Sequence, residues 1–288
     1  MCHLDLACVI VTTTRNSKEQ HRHPSGAHGR VLAVVNGKGG TNKSTTVVAL
    51  AALAAKASHR VLIVDADDQG SATKWLGHRL TPSLFEVLRD GGASLDSIAL
   101  ETTVPGLEVV PASRELKDAD ARLGGQVGIQ NSLRDALAGS VARDIVLVDT
   151  PGDIGLMTIM GLLAAGEALV TLPPESPIYA ELPETERLLA DVQRRANRDL
   201  TFIGVLATSV PIRGQYTTTE ARNVLADLRE RHGALLLPVV IHETPKFGES
   251  YDAAEPISVY APESRAADEY SQVAQLLGLV AAEEVVRA

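Results

Sequence analysis

The sequence predicts an α/β fold, a doubly wound and mostly parallel sheet with helices on both faces. Three observations carry that expectation. Short apolar runs rich in Val, Ile and Leu alternate with longer helical stretches from residue 30 onward, the order that a parallel sheet with crossover helices produces. Two of those runs, 60–65 and 144–149, end in Asp65 and Asp149, and the C-terminal ends of strands are where open α/β sheets bind ligands. A third run begins at Val31 and leads into Gly37-Lys38-Gly39-Gly40-Thr41-Asn42-Lys43-Ser44. That spacing belongs to a phosphate-binding loop, a strand and glycine-rich turn opening a helix.

The elements follow in order. Residues 1–29 have no apolar period and many turn formers, so they read as a disordered tail. Cys2, His3, Cys8, His21, His23 and His28 fall there, with spacings that match no zinc pattern. Residues 30–288 read as a single domain, with no linker or repeat dividing them. The first strand enters the glycine loop, and an Ala- and Leu-rich helix follows over about 43–57. Residues 60–65 complete a β-α-β unit. A short amphipathic helix over 83–89 is closed by Asp90-Gly91-Gly92, residues 107–111 form a strand, and Ser113 caps a helix through Leu123. After the strand at 144–149 come a strand from 167 and a helix from Pro183 to about Arg195. A strand over 200–208, a helix over 217–232 and a last core strand over 235–241 complete the expected sheet.

Each part of the loop has a mechanical role. Gly37, Gly39 and Gly40 allow positive φ, so that successive N–H groups converge on phosphate oxygens. The helix N-terminus adds donors and partial positive charge at the same place. Lys43 reaches the β- and γ-phosphates and the Ser44 hydroxyl ligates Mg²⁺. Asp149 ends a Walker B strand whose carboxylate holds the metal's water shell. Asn42 stands where the general pattern has glycine, and Asn tolerates left-handed backbone better than most residues. The nucleotide cradle is therefore read as Gly37, Lys38, Gly39, Gly40, Thr41, Asn42, Lys43, Ser44 and Thr45, with ATP and Mg²⁺ as its ligands.

The bulk properties exclude other classes. A net charge of −9 argues against a uniformly basic surface. No apolar run is long enough to span a bilayer, and the acidic polar positions of the last thirteen residues argue against a lipid-binding amphipathic helix. The only cysteines are Cys2 and Cys8. The expected fold therefore has no disulfide framework and no cluster-holding core cysteines, and a cytoplasmic location is expected.

Lys38-Gly39-Gly40-Thr41-Asn42-Lys43-Ser44 resembles the deviant Walker A loop of the ParA/MinD ATPases. Asp65-Ala66-Asp67-Asp68-Gln69-Gly70-Ser71-Ala72 resembles that family's Asp-Xaa-Asp-Pro-Gln-Gly-Asn-Ala block, with Asp68 in place of proline and Ser71 in place of asparagine. The segment 245–265 resembles the ParA stretch that follows the last strand.

The resemblance implies that Lys38 reaches a partner's nucleotide in a sandwich dimer. It also implies that Asp65 acts at the Mg²⁺ site through water and that Asp67 orients the attacking water. Lys246 occupies the place of a basic residue that contributes to non-specific DNA binding in that family. Asp68 adds a negative charge that is expected to slow hydrolysis or raise metal dependence. The expected protein is a slow, partner-stimulated ATPase that segregates a plasmid or chromosome with a ParB-like partner and associates with the nucleoid. Two alternatives stay open: a related ATPase with a protein cargo, and a nucleotide-dependent binding module with little hydrolysis. Arg194, Arg195, Arg213, Lys246 and Arg265 are the candidate DNA contacts. Acids such as Glu184, Glu186 and Asp191 are interspersed among the arginines, and an ordinary solvated surface reads equally well.

Overall fold

In the computed structural model, residues 28–81, 83–91, 94–213 and 216–281 are described. The expected tail and its cysteines lie outside the described residues up to position 27, as do Gly92 and the chain from 282 onward. His28 is buried, with Nε2 2.8 Å from the Leu137 carbonyl oxygen.

Seven strands form one sheet among the described residues: β1 (Arg30–Val35), β2 (Val61–Asp65), β3 (Leu100–Glu101), β4 (Leu107–Val110), β5 (Ile145–Asp149), β6 (Glu167–Leu172) and β7 (Thr201–Ala207). Their spatial order is β3-β4-β2-β5-β1-β6-β7. Every pair is parallel except the short edge pair β3–β4. The four central parallel strands are buried along nearly their whole length, which is why they read as continuous apolar runs rather than alternating ones.

Period-2 geometry still sorts their side chains between two cores. Leu32, Val34, Val61 and Ile63 face one core, under α1 (Lys43–Lys56) and α2 (Ser71–Trp75). Val31, Ala33, Val35, Leu62 and Val64 face the other. It is covered by α3 (Ser83–Asp90), α4 (Ala119–Leu123), α5 (Ser132–Ala138), α6 (Leu156–Ala164), α7 (Ser176–Tyr179), α8 (Leu182–Arg195) and α9 (Thr219–His232). Three C-terminal helices, α10 (Lys246–Asp252), α11 (Ile257–Tyr260) and α12 (Arg265–Leu276), return to the α1 side. Helix α1 is buried almost all round, as a helix between a sheet and other helices must be. A hydrogen bond of 3.0 Å between the buried hydroxyls of Thr46 and Tyr270 ties α12 to it.

The ladder register positions the site. Strand β5 lies between β1 and β2, pairing Asp149 with Val34 on one side and with Asp65 on the other. Both acids and the start of the glycine loop therefore meet at one sheet edge.

Two expectations need correction. The last core strand expected at 235–241 is absent. That stretch meets β7 at one isolated bridge, Leu236 to Val205, and by a hydrogen bond of 2.8 Å from the N–H of Ile241 to the Ala207 carbonyl, and a second bridge joins Val210 to His242 beyond it. Pro238 has no N–H to donate and breaks the ladder between them. The helix expected from Ser113 to Leu123 is two pieces, a 3₁₀ turn over Arg114–Asp118 and then α4. Ser113 does cap the first piece, accepting from the N–H of Glu115.

Where the 235–237 stretch crosses β7, Ile203 forms a bulge and Gly204 takes φ +143°. A Cβ at Gly204 would stand 2.5 Å from the Leu235 carbonyl oxygen and 2.6 Å from Leu237 Cδ1. Gly204→Ala is expected to destabilise the protein by about 2 kcal/mol or more, measured by denaturant unfolding. A loss below about 0.5 kcal/mol would show that the crossing adjusts freely.

Candidate nucleotide site

The site grows from the end of β1. The side chain of Asn36 is fixed at both ends, Nδ2 donating to the Thr171 carbonyl at 2.8 Å and Oδ1 accepting the N–H of Lys38 at 3.0 Å. The N–H of Gly37 donates to Thr185 Oγ1 at 3.1 Å, so α8 braces the start of the loop. Gly40 has φ 74° and Asn42 φ 62°. Asn42 thus holds the left-handed backbone expected of it, and its carbonyl accepts the first helical bond of α1 from Thr46.

Across the loop, the turn after β5 comes very close. A Cβ on Gly152 would lie 2.7 Å from both Cα and N of Gly39, so only glycine lets the two backbones pass at this distance. A cavity of about 440 Å³ opens between the loop and this turn, lined by residues including Gly39 to Thr45, Asp67, Asp68, Gln69, Gly152, Asp153 and Tyr251.

The charges in and under that cavity are unbalanced. Asp149 is fully buried and neither carboxylate oxygen has a hydrogen-bond partner. Burial, and then the neighbouring charge of Asp65, push its pKa well above the ordinary carboxylate range; the nearby Ser44 hydroxyl pulls the other way without bonding geometry. Asp65 is also buried, but its oxygens are taken. Oδ2 accepts from the N–H and hydroxyl of Thr73 at 2.7 and 2.6 Å, and Oδ1 accepts from the N–H of Asp67 at 3.3 Å. Burial raises it to about 7 despite those bonds.

Asp67 is raised as well, chiefly by burial, and its Oδ1 accepts from the N–H of Gln69 at 2.9 Å. Lys43 is held below its usual range by burial, against the opposing charges of Asp149, Asp67 and Asp153. Its Nζ turns back onto its own loop, donating to the Lys38 carbonyl at 3.0 Å.

This donor set fits Mg²⁺. A free buried carboxylate with a hydroxyl beside it offers hard oxygen ligands, and Mg²⁺ typically takes one or two such groups plus substrate phosphates and water. No cluster of three His, Cys, Asp or Glu capable of holding a metal by itself occurs among the described residues.

Lys38 behaves differently from Lys43. It does not line the cavity. Its side chain is 42% exposed and forms an ion pair with Glu181, at the start of α8. Thr185, Glu181, Thr73 and Asn36 are site residues that the sequence did not single out, and no local motif marks them.

Arg194, Arg195, Lys246 and Arg265 do not line the cavity. Arg194 and Arg195 on α8 both pair with Asp191. Lys246, which opens α10, pairs with Glu249 at 2.6 Å, and Arg265 pairs with Glu269 at 2.6 Å. Arg213 lies in β8 (Ile212–Arg213), and its side chain is outside the described residues. The Asp191 and Glu249 pairs are exposed, and pairs of that kind contribute little and exchange readily, whereas Glu269 is buried and also accepts from the N–H of His242 at 2.9 Å.

Comparisons with known proteins bear on this geometry. A family model described as an AAA domain matches residues 29–202. The sporulation initiation inhibitor protein Soj of Bacillus subtilis is 33% identical over 256 residues, spanning 86% of this chain and 97% of that protein. The chromosome partitioning protein ParA of Myxococcus xanthus is 31% identical over 248 residues, spanning 84% and 85%. A solved structure of cobyrinic acid a,c-diamide synthase from Mycobacterium smegmatis, with bound ATP analogue and magnesium, superposes with a TM-score of 0.73 at 32% identity, covering 86% of this chain and 93% of that one.

Because Asp149 is buried without a partner, its charge costs stability when nothing offsets it. A carboxyl with a raised pKa stabilises the fold in its protonated form, and that contribution is lost as pH rises through the raised value. Asp149→Asn is therefore expected to melt at or above the wild-type temperature near neutral pH, with the difference shrinking in acid, while its Mg²⁺-dependent ATP hydrolysis falls by about a hundredfold or more. Thermal melts and a phosphate-release assay check both halves. A destabilised variant would mean that Asp149 is satisfied in the fold.

Proposed function

The chain belongs to the ParA family of the ParA/MinD ATPases, with ATP and Mg²⁺ as its ligands, and from that premise we propose that it is a partition ATPase that switches between monomer and nucleotide sandwich dimer. Residues 30–288 would act as one ATPase domain. The observation that carries the reading is the contrast between its two loop lysines. Lys43 is buried over its own cavity, whereas Lys38 points away from it and is held only by an exposed pair with Glu181. A lysine beside a phosphate loop that does not line its own cavity is free to serve another subunit's, and that is the role proposed for Lys38.

In this reading the loop N–H groups and Lys43 hold the β- and γ-phosphates, and Ser44 and Asp149 hold Mg²⁺, directly or through water. The metal, when bound, neutralises charge on the phosphate oxygens. Asp65, whose oxygens are taken by Thr73 and the N–H of Asp67, would act at the metal site through water. Asp67 orients the attacking water at the cavity wall, a positioning role that phosphoryl transfer requires. Gly152 carries the switch turn against Gly39, so the state of the phosphates is felt directly by the turn before α6. Lys38 crosses to the partner's phosphates and completes its site. A relative named as a chromosome partitioning protein supports a partition role, and the proposal takes DNA as the scaffold and a ParB-like protein as the stimulating partner, in the cytoplasm on the nucleoid. No helix among the described residues is long and apolar enough to cross a membrane.

Two outcomes are expected. Lys38→Ala should bind ATP normally as a monomer, yet lose about a hundredfold of the hydrolysis rate measured with DNA and partner present. Unaltered stimulated turnover would sink the sandwich arrangement. Binding to non-specific duplex DNA should appear with ATP and not with ADP. It should weaken at least about tenfold between roughly 50 and 200 mM salt, as displaced counterions require. DNA binding that ignores the nucleotide would remove the switch, and no binding at all would favour a protein cargo.

A further inference from the structure

Two non-glycine residues in left-handed backbone meet at the phosphate loop. Asn42, the N-cap of α1, has φ 62° and ψ 30°. Ser209, just past the end of β7, has φ 48°. Nδ2 of Asn42 donates to Oγ of Ser209 at 2.8 Å. One residue earlier in each segment, the Thr208 hydroxyl donates to the carbonyl of Thr41 at 3.2 Å. Consecutive residues of the loop are thus tied to consecutive residues of a segment far away in sequence.

The anchoring side is rigid. Thr208 is fully buried, its N–H donates to the Leu172 carbonyl at 3.0 Å, and the N–H of Val210 donates to the Ile241 carbonyl at 2.9 Å. The loop side is not rigid by itself. The turn after β5 touches the loop on one side, at Gly39, while the space around Gly40 is open: a Cβ added there would meet nothing within 4 Å. Thr185 holds its beginning through Gly37. Among the described residues, the contacts from Thr208 and Ser209 hold its end from outside the loop and α1.

We propose that the Asn42–Ser209 hydrogen bond is a clamp that presets the phosphate loop for nucleotide, and that Ser209 is a positioning residue for phosphate binding. Left-handed backbone is disfavoured for residues with a Cβ, and Asn only resists it less than most. A glycine at position 42 would adopt that conformation freely but would also leave it freely. Asn42 gives up that freedom, and the clamp holds it where the N–H groups at the start of α1 face the cavity before any ligand arrives. A binding-competent state that is populated in advance carries no conformational penalty on affinity. A site held by a rigid neighbouring element keeps that geometry.

The proposal rests on the nucleotide reading, and the test separates the two. Affinity for Mg·ADP, which needs neither hydrolysis nor DNA nor a second subunit, is measured for wild type, Asn42→Gly, Ser209→Ala and the double variant. Each single change should weaken binding about three- to tenfold, the net worth of one hydrogen bond. The double variant should be no weaker than the weaker single one, because both changes remove the same bond. In the nucleotide-free protein, hydrogen exchange at the amides of 37–42 should quicken in both single variants while the central strands keep their protection, which separates a positioning effect from general destabilisation. Asn42→Gly binding as tightly as wild type, or losses that multiply in the double variant, would overturn the clamp. Failure of the wild-type protein itself to bind Mg·ADP would overturn the nucleotide reading and the clamp with it.

Discussion

The rest of the site depends on one buried carboxylate. Strand order puts Asp149 at the centre of the sheet edge, between Val34 and Asp65, and no protein group satisfies its oxygens. A buried charge without a partner is costly, and the fold meets the cost only in part. Lys43 is near enough to oppose it but is itself disfavoured by burial. Asp65 and Asp67 add charge of the same sign. Lys43 cannot offset all three carboxylates when they ionise, so a divalent cation beside them would relieve the cost, and the phosphates sharing that cation would answer to the loop N–H groups and Lys43.

That imbalance explains why the surrounding loops are held so firmly. A site that must accept a large compensating charge cannot also reorganise its backbone without losing affinity. Asn36, Thr185 and Thr208 pin the phosphate loop from β1, α8 and the end of β7, respectively. Gly152 brings the turn after β5 into contact with Gly39. The Lys38 side chain is held only by an exposed ion pair, which agrees with a proposed role for Lys38 beyond its own cavity.

The chemistry of the centre was legible in the sequence because it is local. Gly37 to Ser44 carry their meaning in consecutive residues, and Asp65 and Asp149 end apolar runs that can only be buried strands. The larger failures are non-local. Residues 235–241 look like a strand, yet Pro238 and the bulge at Ile203 reduce their pairing to isolated bridges. Thr185, Glu181 and Ser209 lie more than a hundred residues from the loop they touch, and nothing beside them in sequence marks that contact. The basic residues of α8, α10 and α12 were visible as charges, but the acids that pair with them, Asp191, Glu249 and Glu269, became partners only through helical spacing. Asn42 was legible as a departure from glycine, whereas its partner was not.

The central claim is that Mg²⁺ and nucleotide together complete the charge of one buried cluster. Thermal melting of the wild-type protein with Mg²⁺ alone, ATP alone in the presence of a chelator, and both together tests it directly. Each alone is expected to shift the melting temperature little, and the pair to raise it by clearly more than the sum. Equal stabilisation by ATP with and without the metal would contradict it, because Asp149 would then have no part in binding.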